Sequence, residues 1–173
     1  MGTAAMQLPF GKILGQNKNK QEVLNNDQLN LLSSVQQILF PDDGNGPGAM
    51  DIHALDYMIW VLSDPNNDPD EVDYIVKGIG WVEETAVEDI SKNYLELTQT
   101  EREQLIGKIS KEGWGESWLS VILSFILEAL LCDPQYGGNP DAIGWDWLSH
   151  NPGQPRPKEE LLYPDILTYM HKT

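Results

Sequence analysis

Apolar residues recur at helical spacing along most of this chain, and nowhere do they alternate with period two over more than a few positions. The spacing predicts a first helix opening at Asn26 and Asp27, with Asp27 as N-cap and Leu29, Leu32, Val35, Ile38 and Leu39 along one side. Pro41 ends it, and the Asp, Gly and Pro residues of 42–48 read as a loop. Ile52, Leu55, Met58, Ile59 and Leu62 predict a second helix over about 51–62. Asp68 followed by Pro69 reads as an N-cap with proline at the first helical position. The third helix then carries Val72, Ile75, Val76, Ile79, Val82 and Ala86 in register. Gly78 and Gly80 lie inside it at a cost of about 1 kcal/mol each relative to Ala, and both are expected to serve close helix packing. Thr98 and Glu101 form a capping box for a fourth helix, with Leu105, Ile106 and Ile109 inward. The most apolar run, 118–131, is apolar on nearly all sides and is expected at the centre of the fold, with part of it left for a partner. Counted over those residues it spans about 20 Å, short of a bilayer's roughly 30 Å core, so no direct membrane span is expected.

The two ends differ from this pattern. Residues 1–25 are polar and rich in Asn, Gln, Lys and Gly, which predicts a flexible N-terminal arm ahead of a single helical domain at 26–173. From residue 133 onward the chain is rich in Trp, Pro and Gly, with short helices expected near 158–162 and 164–170. The prediction is an all-α single domain of about five main helices with an irregular Trp/Pro/Gly-rich C-terminal segment. A chain of 173 residues buries enough surface to fold without a metal or a disulfide. Its one cysteine, Cys132, rules out an intramolecular disulfide and ends an apolar run, where it behaves as a small hydrophobe. Charge changes the picture more: 27 acids against 11 Lys and Arg give a net −16, which opposes nucleic-acid backbones and anionic lipid. Such a surface serves solubility or matches a basic partner.

The search for catalytic chemistry finds little. Gly115-Glu116-Ser117-Trp118-Leu119 approaches a nucleophile elbow but has Leu in place of the second glycine and no preceding strand, so Ser117 is read as a helix N-cap. Asp64 to Asp68 alternates acids and amides as a calcium loop does, but Pro69 and Ile75 stand where Gly and a bidentate Glu are needed. His53, His150 and His171 are scattered, and none has ligand spacing to another His or Cys. Gly78-Ile79-Gly80 lacks the third glycine of a dinucleotide fingerprint. Glu83-Glu84 and Glu159-Glu160 read as solvated faces. No catalytic, cofactor-binding or metal-ligating residue is assigned. Among the tryptophans, Trp60 and Trp81 read as core or boundary residues, whereas Trp145 and Trp147 stand in a segment that hardly builds a core alone and fit an interface or a core equally.

One block carries more. Asp133, Pro134, Gln135, Tyr136, Gly137, Gly138 and Asn139 are followed by Gly144-Trp145 and then by Asn151-Pro152-Gly153. Pro134 stops the apolar helix, the glycines permit positive φ, and Tyr136 is expected to pack back on the helix end with its hydroxyl bonded. This run, with Leu39-Phe40-Pro41 and Leu62-Ser63-Asp64-Pro65 upstream, resembles the gluconate 2-dehydrogenase subunit 3 family over about residues 27–155. The resemblance implies a non-catalytic small subunit that binds, stabilises and assists maturation or export of a large FAD-containing subunit of the glucose–methanol–choline oxidoreductase class, with a multihaem cytochrome c as a frequent third component. It implies a periplasmic setting, although no twin-arginine export signal stands in residues 1–25, so a cytoplasmic one stays open. Cys132 and the tail after Arg156 fall outside the family pattern. Asp133, Pro134, Tyr136, Gly137, Gly138, Asn139, Trp145, Trp147 and Gly153 are the interface or family-motif candidates. The alternative is a stand-alone helical domain of the same fold that binds another protein or a small ligand.

Overall fold

The computed structural model describes residues 24–153 and 161–170. Among them there are seven α-helices and no strand. Five are long: α1 (Asn26–Leu39), α2 (Ala54–Leu62), α3 (Pro69–Ile90), α4 (Gln99–Ile109) and α5 (Gly113–Leu131); α6 (Ile143–Leu148) and α7 (Asp165–Met170) are short. Most of the expected arm lies outside the described residues, but its last two positions belong to the fold. Leu24 is buried in the core, and Asn25 caps α1. The Asn25 side chain accepts from the Gln28 N–H at 3.0 Å while the Gln28 side chain accepts from the Asn25 N–H at 2.9 Å. The cap is therefore Asn25 and not Asp27: only Asn25 has a Gln at the third helical position to close the reciprocal pair. The expected helix at 158–162 lies outside the described residues up to 160, and 161–164 forms a turn.

Local signals place α3 and α4 as expected. Asp68 accepts from the Asp70 N–H at 2.9 Å with Pro69 at the first helical position, and Thr98 and Glu101 close their capping box. The second helix starts three residues later than its apolar spacing predicts. The Asp51 carboxylate accepts from the Gly48 N–H at 2.8 Å, and His53 takes a left-handed φ of 53°. This turn buries Ile52 from outside the helix. The fifth helix starts earlier, at Gly113. Ser117 is inside it, its hydroxyl donating to the Gly113 carbonyl at 2.8 Å, so the N-cap reading of Ser117 is corrected. With 19 residues, α5 is about 28 Å long. By length and composition it is the one helix among the described residues able to cross a membrane, which corrects the shorter count from 118–131.

The core forms around α5, whose Trp118, Leu119, Ile122, Phe125, Ile126, Ala129 and Leu130 are buried. It packs most extensively on α2 and also meets α1, α3, α4 and α6. Trp118 packs against Gly78 of α3 and donates its indole N–H to the Ile75 carbonyl at 3.3 Å. A Cβ on Gly78 would sit 2.0 Å from the indole nitrogen, so here a glycine is required by close approach. Gly80, expected to do the same, is exposed with nothing near its missing Cβ. Beside the core, Arg102 donates to the Leu95 carbonyl at 2.7 Å and lies 5.5 Å from the Tyr94 ring centre, pinning the 3₁₀ turn Tyr94–Glu96 between α3 and α4.

Two tests follow from these contacts. Gly78→Ala should lose about 1–3 kcal/mol in urea denaturation, because overpacking against Trp118 outweighs the gain in helix propensity. Gly80→Ala should gain about 0.5–1 kcal/mol; equal effects at the two sites would contradict the packing. Glu101 is held at about 2, below its ordinary 4.5, first by the Lys92 ammonium and then by the Thr98 N–H and hydroxyl. The unfolded chain takes up that proton more readily, so Glu101 contributes stability above pH 4.5 that is lost as pH falls towards 2. The stability difference between wild type and Glu101→Gln should shrink across that window, as read by denaturation at stepped pH.

Candidate interaction site

An α-helix ends with carbonyls that have no partner within the helix, and the end of α5 is partly covered by the chain that follows it. The residues that follow supply the partners. Asp133 accepts from the Gln135 N–H at 3.3 Å, and Pro134 opens a 3₁₀ turn (Pro134–Tyr136). Gly137 then takes a φ of 93°, open only to glycine at low cost. Gly138 serves differently: a Cβ there would stand 2.8 Å from both the Ala129 carbonyl oxygen and the Cys132 Sγ. Asn139 is fully buried at a φ of 50°. Its side-chain N–H donates to the Cys132 carbonyl at 3.0 Å, its side-chain oxygen accepts from the Gly144 N–H at 2.7 Å, and its own N–H reaches the Ile52 carbonyl at 2.9 Å. Trp145 donates its indole N–H to the Leu131 carbonyl at 2.8 Å.

Asn139, Gly144 and Trp145 thus close the end of α5 and tie it to the turn before α2. Of the two readings left open for Trp145, interface or core, the structure shows the core one in this chain: it is only 5% exposed, and its indole N–H satisfies a backbone carbonyl at the helix end. The Tyr136 hydroxyl is bonded as expected, but its ring packs on α2. Its ring lies 5.4 Å from that of Trp60 on α2, and its hydroxyl accepts from the Tyr163 N–H at 3.3 Å. Gly153 has a φ of 89° in an exposed turn and donates to Asn151 at 3.0 Å, apart from the other motif residues. Trp147 remains 43% exposed, covers Gly46 and donates to the Asn45 carbonyl at 2.8 Å, with the Phe40 ring edge-on at 6.1 Å.

The outward side of α5 completes the site. Leu123, Leu127 and Leu131 repeat every four residues and are 37–47% exposed. Ile143, Trp147 and Leu148 on α6 are exposed as well, and Trp145 anchors that helix to the end of the stripe. Single exposed leucines are ordinary, but a row of three beside a second helix with exposed apolar residues makes this surface the candidate docking face. Exposed Glu116, Glu128, Asp141 and Asp146 are carried by the same segments. The apolar run hid this stripe in the sequence, because leucines at 123, 127 and 131 look no different from the buried residues between them. Trp60 and Trp81 are half-buried in aromatic surface clusters, Trp60 with Tyr57 at 5.9 Å and Trp81 with Trp114 at 5.5 Å.

Reactive chemistry is sparse. Burial pushes the Cys132 thiol up to about 11, leaving it protonated at neutral pH. Burial, and then the Glu128 charge, raises the Tyr57 phenol well above its ordinary value. His53 lies 3.7 Å from Asp56, and His150 lies beside the Trp145 ring; His171 is outside the described residues. Among the described residues no cluster of three His, Cys, Asp or Glu could hold a metal. The Asp64 carboxylate accepts from the Asn66 N–H at 2.8 Å, closing a turn into α3. An open groove of about 610 Å³ between α1, α3 and the Tyr94–Glu96 turn is lined by Asp27, Glu83 and Glu96 with amides and apolar residues, and holds no nucleophile–base pair.

A family model described as gluconate 2-dehydrogenase subunit 3 matches residues 26–153. That span holds the first six helices and the α5 turn and stops before α7. No curated protein and no solved structure matches the chain. Replacing Asn139 with Ala would strand the Gly144 N–H and the Cys132 carbonyl in the interior, so Asn139→Ala should lose about 2–4 kcal/mol of stability. A loss below about 1 kcal/mol by urea denaturation would show that the helix end is held by other groups.

Proposed function

The chain belongs to the gluconate 2-dehydrogenase subunit 3 family, and we propose that it is the non-catalytic small subunit that binds and stabilises a FAD-containing gluconate or sugar dehydrogenase subunit. The family implies membership in a dehydrogenase complex. The observation that carries the finer reading is the exposed Leu123, Leu127 and Leu131 stripe continued by Ile143, Trp147 and Leu148. The family turn itself is used up in holding α5, which leaves this face to meet a partner. A net charge of −16 favours a partner with a basic rim around its apolar contact. Substrate oxidation and the flavin belong to that partner, with a cytochrome c as a further electron acceptor. The small subunit would shield the partner's apolar surface while it matures, in keeping with a periplasmic destination.

Co-expression with the neighbouring flavoprotein tests this. The two should co-purify, and Leu123→Glu with Leu127→Glu should weaken the pair by about thirtyfold or more, as central apolar contacts worth 2 kcal/mol or more do. The isolated variant should still unfold cooperatively, with a smaller loss of stability than a core substitution causes, because both side chains are partly exposed. Trp145→Ala, in contrast, should lower the unfolding temperature of the isolated chain. A flavoprotein that separates cleanly and is fully active alone would overturn the assignment.

A further inference from the structure

Beside the docking face, the domain presents an aromatic recess built from three separate elements. Trp60 of α2, Tyr136 of the α5 turn, and Asp64 with Asn66 of the α2–α3 loop meet around it. Tyr163 occupies it from the tail. Its ring meets Trp60 edge-on at 6.0 Å, its hydroxyl donates to the Asp64 carboxylate and accepts from the Asn66 amide at 3.4 Å, and its N–H donates to the Tyr136 hydroxyl at 3.3 Å. This is recognition of a tyrosine in particular: an aromatic face for the ring and a carboxylate for the phenol. The recess residues all lie within the family match at 26–153, whereas the occupant lies beyond it. Trp60 and Tyr136 also contact each other, so the recess does not need the tail for its shape. It is continuous with the docking face, because Tyr57 stacks on Trp60 and donates to Glu128 of α5 at 3.3 Å, next to Leu127.

We propose that Trp60, Tyr136 and Asp64 form a tyrosine-receiving recess, that Tyr163 is its tethered occupant, and that a tyrosine-bearing segment of the dehydrogenase subunit displaces Tyr163 on docking. The last step rests on the function proposed above; the recess does not. A tethered side chain acts at an effective concentration in the millimolar range, so a free ligand binds far better once the tether's tyrosine is gone.

The probe is a synthetic peptide of residues 161–170, titrated into full-length protein while the Trp60 indole N–H is followed by NMR. Tyr163→Ala should bind it saturably, and wild type at least about tenfold more weakly. A peptide with Phe at position 163 should bind more weakly than the Tyr peptide, since it cannot donate to Asp64. Failure of Tyr163→Ala to bind, or equal binding by wild type, would overturn the recess. With the flavoprotein subunit, Tyr163→Ala should raise affinity several-fold; unchanged or reduced affinity would overturn displacement. If no variant binds the flavoprotein, the docking reading and displacement fall together, and the peptide titration still decides the recess.

Discussion

A long apolar helix can be buried only if the polar groups at its ends are buried with partners. The C-terminal end of α5 lies against α6 and the turn before α2, which partly cover its last carbonyls. Asn139 and Trp145 take up the Cys132 and Leu131 carbonyls, and the absence of a side chain at Gly138 and Gly144 lets the returning chain approach closely enough for them to do so. The rest of the fold depends on this closure. Through the Asn139 N–H it holds the turn that contains Ile52, and through Trp145 it holds α6.

The same closure decides what the protein shows to a partner. Because Trp145 is drawn inward to the helix end, Trp147 two positions later is turned outward onto the Gly46 loop and stays partly exposed. The exposed leucines of α5 and the exposed apolar residues of α6 thus stand on two helices that pack on each other. A sequence block that carries a family's identity is here a structural device, and the proposed docking surface adjoins it. The one thiol is half-buried and protonated, and the described histidines are isolated from one another.

Several elements were legible because their causes are local. The Asp68-Pro69 start of α3 and the Thr98–Glu101 box of α4 involve groups within three residues of one another, and both stand as read. The five long helices and the importance of the 133–139 turn were legible for the same reason. Where two local signals compete, position alone is insufficient. Asn25 and Asp27 are both good caps, and the Gln28 side chain decides between them. Asp51 looked like the start of α2, but its carboxylate is engaged with the Gly48 N–H.

Sequence by itself determined the helical class, the five long helices and the place where the central helix must stop, since periodicity, caps and proline act over a few residues, but not the short α6. Only the tertiary structure decided which side of each helix is covered. Gly78 and Gly80 are alike in sequence, yet only one lies under Trp118. Trp145 and Trp147 are alike in sequence, yet one closes α5 and the other faces outward. These differences come from contacts between residues far apart in the chain, and a one-dimensional pattern does not contain them.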